Sequence, residues 1–159
     1  MYITLLCVGK VKEKYWQQAI DEYAKRLGKY HQFKIVAVAD EKDPAQESEK
    51  AITALKDKEG ERILKNIRDD DFVITLEING KQIDTLALAD YFCKLEQDNH
   101  THLVFVIGGS YGLADAVCKR SNFALSFSKM TFPHQLMRVI FVEQLYRCAR
   151  INSGQKYHK

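Results

Sequence analysis

Two short segments in the last third of the chain carry residue types suited to ligand chemistry. The first runs from Val104 to Gly112 (VFVIGGSYG), an apolar run that ends in Gly108, Gly109 and Gly112. Without a Cβ, a glycine turn lets main-chain groups come close to a bound molecule. The second runs from Phe127 to Pro133 (FSKMTFP) and mixes two aromatics and Met130 with Ser128, Lys129 and Thr131. Such a loop supplies an apolar slot for a heteroaromatic ring such as adenine, with backbone donors and acceptors for its edge. Plainer uses of the same residues are a structural tight turn at the glycines and core packing for Phe127, Met130 and Phe132.

Spacing excludes several familiar chemistries. A dinucleotide-binding turn places glycines at i, i+2 and i+5 after the first strand of its unit, whereas these stand at i, i+1 and i+4, late in the chain. No Gly-Lys-Ser/Thr follows to make a phosphate loop, and no Ser/His/Asp or Cys/His order has informative spacing, which argues against hydrolysis. Cys7, Cys93, Cys118 and Cys148 are scattered, without a C-x-x-C pair or a histidine at ligand spacing. They read as small apolar residues rather than metal ligands or disulfide partners.

Charge is unevenly placed. The net formal charge is +3, yet residues 129 to 159 hold six Lys or Arg against the single acid Glu143. The remaining residues carry a slight negative excess, so the positive field belongs to the C-terminal segment. A polyanion such as RNA would dock there, and a solvated basic face is the alternative. With 159 residues, 46% of them hydrophobic, the chain suffices for one domain with a proper core. No apolar stretch approaches the roughly 20 residues of a membrane span, and the first residues lack a charged leader. A soluble cytoplasmic protein is expected.

The elements that must position these loops alternate. Tyr2–Val8, Phe33–Val38, Phe72–Ile78, Leu103–Ile107 and Phe123–Phe127 are strand-sized apolar runs. A helix is expected over Val11–Tyr30, where apolar residues recur at three and four, and another from near Pro44 to about Ile67, acidic and largely solvated. Asn79-Gly80 is expected to turn the chain after the third strand, with a helix following that uses Asp84 or Thr85 as cap. A short helix should follow Gly112. Together these predict a single-domain α/β protein with a parallel sheet, helices on both faces and right-handed crossovers.

The last helix, His134 to about Ile151, carries two apolar stripes: Met137, Ile140/Phe141, Leu145 and Cys148 on one side, and Val139, Val142, Tyr146 and Ala149 on the other. One sheet covers one stripe. The second requires either another part of the chain or a second subunit, and a symmetric homodimer is favoured as the commonest solution.

The glycine turn, the stretch ALSFSKMTFPHQLMRVIFVEQLYRCARI and the terminal YHK together resemble the SPOUT class of RNA methyltransferases. Within that class the chain is similar to the small single-domain family that methylates N3 of a pseudouridine in bacterial 23S ribosomal RNA. VGKVKEKYWQQAIDEYAKRLGKY, KEGERIL and ITLEINGK extend the likeness over nearly the whole length, and the region from Ala45 to Lys58 is its least family-like part.

The resemblance implies a C-terminal trefoil knot formed by roughly residues 103–159, a homodimer built on the C-terminal helix, and S-adenosylmethionine as methyl donor, with no metal. It places the cofactor at Leu76, at Gly108, and at Phe127, Ser128, Lys129, Met130, Thr131 and Phe132. It implies as partner the 23S rRNA within the large ribosomal subunit or the assembled ribosome. Candidates to meet the target nucleotide are Arg138, Arg150, Tyr157, His158 and Lys159, with Tyr157 to Lys159 reaching across the dimer and the arginines holding phosphates. His158 is a candidate base, and transfer without a protein base is the open alternative. A noncatalytic RNA-binding protein with a vestigial pocket is the rival class.

Overall fold

The computed structural model describes residues 1–159. Strands and helices alternate throughout: β1 (Tyr2–Val8), α1 (Lys14–Leu27), β2 (Gln32–Val38), α2 (Glu49–Leu64), β3 (Phe72–Gln82), α3 (Thr85–Gln97), β4 (His102–Ile107), α4 (Asp115–Arg120), β5 (Phe123–Ser126) and α5 (His134–Asn152). The five strands form one sheet in the order β2-β1-β4-β3-β5, with every adjacent pair parallel.

The central strands β1 and β4 are apolar on both faces, because helices cover both. Ile3, Leu5, Cys7, Leu103, Phe105 and Ile107 point toward α1, α3 and α5. Leu6, Val8, Val104 and Val106 point the other way, toward Ile63 of α2 and Val117 of α4. Helix starts obey local chemistry: Ser48 accepts the Ala51 amide at 3.1 Å, and Asp84 accepts the Ala87 amide at 2.8 Å. Cys7 and Cys148 are buried, free thiols, pushed up to about 11 and about 12 by burial. No helix is long and apolar enough to cross a membrane, and no three His, Cys, Asp or Glu side chains are grouped to hold a metal ion.

Two local expectations are corrected. Asn79-Gly80 does not turn the chain; β3 continues through it to Gln82. Leu76 and Lys81 both register with Leu125 of β5, so the intervening residues bulge away from the pairing. A Cβ on Gly80 would lie 2.8 Å from backbone atoms of Ala124 and Leu125, so this glycine serves a close crossing of two chains. Helix α2 starts at Glu49, shortly after Pro44, because Ser48 supplies the cap, and it is largely solvated as expected, with Leu55, Glu59, Gly60 and Ile63 as its buried positions.

The second correction concerns α5. From Phe141 onward both apolar stripes are covered within the chain, since α5 lies against α1 and α3 as well as the sheet, whereas Val139 and Ile140 stay only half-buried. Tyr23 and Tyr30, in and just after α1, pack on Tyr146, with ring centroids 6.4 and 6.2 Å apart. The double stripe therefore does not by itself demand a second subunit.

Candidate active site at the strand tips

The carboxyl ends of β4 and β5 and the part of β3 just beyond its pairing with β4 converge on one cavity of about 180 Å³. β3, past its last pairing with β4 at Thr75, contributes Leu76, Glu77 and Ile78; the glycine loop contributes Ile107, Gly108, Gly109, Ser110 and Gly112; the loop after β5 contributes Phe127, Ser128, Met130, Thr131 and Phe132. Leu113, Leu125, His134 and Met137 complete the wall. The volume is below the roughly 300–1,000 Å³ usual for whole ligands, so the cavity seats one ring and leaves the rest of a ligand along its mouth, where Met130 is 73% exposed.

Local hydrogen bonds set these loops. Buried Ser126 places its hydroxyl 2.9 Å from the Ile78 carbonyl and 3.1 Å from that of Ser128, within donating reach of either. Ser128 Oγ accepts the Met130 amide at 2.9 Å. In the glycine loop the Gly112 amide donates to the Gly109 carbonyl at 3.0 Å. A Cβ on Gly108 would stand 2.8 Å from the Gly112 carbonyl carbon, so only glycine allows the loop to fold back on itself here. Glu77 supplies the only carboxylate of the lining, and its Oε1 accepts the Thr75 hydroxyl at 2.6 Å. An apolar slot, exposed loop backbone and one carboxylate form a donor set that fits an adenosyl group carrying a cationic sulfur.

Of the residues singled out for cofactor contact, all but Lys129 line this cavity. Lys129 is exposed, and its Nζ reaches toward the Ile78 carbonyl at 3.5 Å on the rim. Glu77, Ser110, Leu125, His134 and Met137 were not foreseen. The cue for Glu77 and Leu125 was their adjacency to Leu76 and Phe127 at strand tips. His134 lies 3.4 Å from the Ser110 hydroxyl, and burial together with the Arg138 charge holds its pKa below the ordinary value. A wider concavity of about 490 Å³ lies among residues of β1, β2 and β4 at the opposite, N-terminal end of the sheet, where none of these motif residues stands.

A family profile described as "Predicted SPOUT methyltransferase" matches residues 1–158. The chain belongs to the SPOUT methyltransferase family. It is 56% identical to the Ribosomal RNA large subunit methyltransferase H of Bifidobacterium adolescentis over 159 residues, 100% of both chains. Two solved structures share the fold at low identity. One is a probable methylase family protein from Haemophilus influenzae, with a TM-score of 0.52 and 16% identity over 99% of this chain and 70% of that one. The other is a probable methyltransferase from Bordetella pertussis, with a TM-score of 0.54 and 10% identity over 92% of this chain and 95% of that one.

In this SPOUT chain the five residues expected to meet substrate are not gathered in one place. Arg138 is 3% exposed, donates to the Val8 carbonyl at 2.6 Å, and faces a second cavity rather than a basic surface. Arg150 donates to the Tyr146 hydroxyl at 2.9 Å and to the Lys156 carbonyl at 3.2 Å. Tyr157 is folded onto α5: its hydroxyl donates to Glu143 at 3.2 Å, and Arg147 lies over its ring at 4.6 Å. Burial and the Glu143 charge raise the Tyr157 pKa. His158 and Lys159 are exposed. Glu143 is six residues beyond Met137, the last α5 residue of the cavity wall, so Tyr157 docks roughly 9 Å along the helix from the cavity, and the tail does not line the cavity of its own protomer.

Proposed function

We propose that the chain methylates N3 of a pseudouridine in 23S ribosomal RNA, with S-adenosylmethionine as donor. It acts as a homodimer through α5, in the cytoplasm, on the large subunit or the assembled ribosome, and residues 103–159 make the trefoil knot. The observation that carries the reading is the convergence of two strand-tip loops and the middle of β3 on one slot with a glycine-lined wall. The full-length 56% identity to a large-subunit rRNA methyltransferase supports the substrate class.

S-adenosylmethionine supplies a methyl group on a sulfonium, so the driving force travels with the donor and the protein mainly aligns the two reactants. Ile107, Leu125, Phe127 and Met137 are the apolar surfaces that would hold its ring, with backbone groups near Leu76, Gly108 and Thr131 reading the edge. Glu77 offers charge complementarity to the cationic end. The acceptor nitrogen carries a weakly acidic imide proton, and cations placed near it stabilise the anion left by its loss.

Those cations come from the basic tail. Because Tyr157 rests on α5 well away from its own cavity, the tail of each protomer serves the cavity of the other, bringing Tyr157, His158 and Lys159 to the nucleotide while Arg150 holds a phosphate. The half-buried apolar side chains Leu136, Val139 and Ile140 on the first half of α5 supply surface for the pairing.

Mass spectrometry of ribosomal RNA methylated in vitro tests the activity: one methyl on one pseudouridine is expected, and an unmodified RNA overturns it. Deleting residues 157–159 should abolish turnover and leave calorimetric donor affinity intact. Arg150→Gln should weaken RNA binding and lower the salt slope by about one; an unaltered slope removes the arginine from the phosphate contacts.

A further inference from the structure

A second cavity, of about 400 Å³, opens beside the first at the carboxyl end of β1. Gly109, Ser110 and His134 line both. Its place follows from topology. β1 leads into α1 on one face of the sheet, and the neighbouring β4 leads into α4 on the other. Connections that diverge in this way leave a crevice at the strand tips, where α/β folds take ligands. The donor reading uses no other wall of this crevice.

Two of those walls are charged side chains almost wholly out of solvent: Glu59 is 4% exposed and Arg138 is 3% exposed. Each has one satisfied atom and one orphan. Glu59 Oε1 accepts the Glu41 amide at 3.0 Å, while Oε2 has no partner. Arg138 donates one terminal nitrogen to the Val8 carbonyl at 2.6 Å, while Nε has no partner. Neither belongs to any ion pair in the chain. Buried charged atoms without partners are costly and are normally satisfied. The orphan acceptor and the orphan donor belong to residues that line a single cavity, and a ligand seated there that presents both a donor and an acceptor would satisfy them.

That requirement selects the ligand. A phosphate would meet Glu59, whose carboxyl is already raised above its ordinary value by burial and by the charge of Asp40. A neutral nucleobase, with N–H and C=O alternating around its ring, meets both orphans. Pseudouridine differs from uridine in one respect that matters here: its glycosidic bond is to carbon, so ring N1 keeps a hydrogen. N1–H, the O2 carbonyl and N3 follow one another along a single edge. With N3 turned toward the donor cavity, N1 lies on the far side of O2. Glu59 is on that far side: it lines the second cavity and not the first, and its Oε2 sits 2.8 Å from where a Cβ of Gly109 would be.

The geometry points to the second cavity as the seat of the target base, with Glu59 accepting the N1–H that pseudouridine has and uridine lacks, and Arg138 Nε donating to the adjoining carbonyl. This assignment rests on the methyltransferase reading above. It makes Glu59 a specificity-determining residue and gives Arg138 a role at the base instead of at the RNA backbone.

The test compares large subunits carrying pseudouridine with subunits carrying unconverted uridine at the target position. The wild-type chain and Glu59→Gln are assayed on both for kcat/KM, and donor affinity is measured by calorimetry. Glutamine keeps the size and the acceptor for Glu41 but turns a donor toward the cavity. The preference for pseudouridine over uridine should fall about 10- to 100-fold, as expected for losing a hydrogen bond to a charged group, with donor affinity unchanged. An unchanged preference, an equal loss on both substrates, or lost donor binding each overturns the assignment while leaving the activity standing. A wild-type chain inactive on both subunits overturns the activity and the assignment together. A second measurement needs no variant: in saturation-transfer NMR with S-adenosylhomocysteine present, pseudouridine should contact the wild-type protein and 1-methylpseudouridine should not. Equal contact by the two nucleosides overturns the role of Glu59.

Discussion

Gly108→Ala tests whether the glycine loop is closed as tightly as the structure has it. The new Cβ would lie 2.8 Å from the Gly112 carbonyl carbon, 2.9 Å from its oxygen and 3.0 Å from Leu113 Cδ2. Carbon atoms pack at roughly 3.5–4.0 Å, so the loop would have to open by about 0.7 Å or more. Two of the three obstacles are backbone, which cannot rotate aside. Overpacking of this kind costs about 1–3 kcal/mol. If all of it appears at the donor site, affinity for S-adenosylmethionine falls about 5- to 150-fold. If all of it appears in global stability, the melting temperature falls by about 2–12 °C for a chain of this size. Isothermal calorimetry and scanning calorimetry on the same samples apportion the cost between the two. Gly28→Ala is the control: that residue has a helical φ of −59° and its nearest Cβ contacts are at 3.5 Å, so alanine there should be neutral or stabilise by about 0.4–1 kcal/mol. A Gly108→Ala protein that melts and binds donor like wild type would refute the packing argument.

Gly80→Ala drives a Cβ into the backbone of Ala124 and Leu125, so it should lower the melting temperature by an amount comparable to Gly108→Ala; no shift would mean that β3 and β5 do not cross as closely as described. Cys7 and Cys148, with thiols at about 11 and about 12, should stay unreactive toward a disulfide reagent at pH 8 until denaturant is added; rapid reaction of all four cysteines in the native protein would contradict their burial. For Asp71, burial works to raise the pKa, but hydrogen bonds from Arg68 and its charge outweigh burial and hold it below the ordinary carboxylate value. Its contribution to stability is therefore complete above the unfolded pKa of 3.8 and is lost as pH falls through the lower folded value. Arg68→Met should move acid unfolding to higher pH, and an unmoved transition would show that the pair is immaterial.

Much of this arrangement was legible because it depends on local pattern. β1 and β4 announce themselves as unbroken apolar runs, since a strand covered on both faces has no polar side to show. The two ligand loops stand out because glycine and proline punctuate them. What was not legible depends on which chain passes alongside. Asn79-Gly80 carries the strongest short turn signal, yet here the glycine exists because β5 runs against it. Glu59 is one acid in the run from Asp57 to Glu61, and nothing nearby in sequence distinguishes it from its solvated neighbours. Arg138 looked like part of a basic surface because charge was counted along the chain, whereas helix geometry turns that side chain inward. The second stripe of α5 suggested a partner subunit because the tyrosines in and after α1 that cover it lie more than a hundred residues away.

The order of the strands has a consequence for biosynthesis. β4 sits between β1 and β3, which do not touch each other. A polypeptide emerging amino end first can pair β1 with β2 early, but β3 waits without a neighbour until residues 102–107 leave the ribosome. Until then the inner edges of β1 and β3 present open rows of amides and carbonyls flanked by apolar side chains, the state most prone to wrong pairing. Prematurely terminated products ending before His102 should therefore aggregate instead of accumulating as a soluble half-domain, and this chain cannot recognise its donor until its own translation is nearly finished.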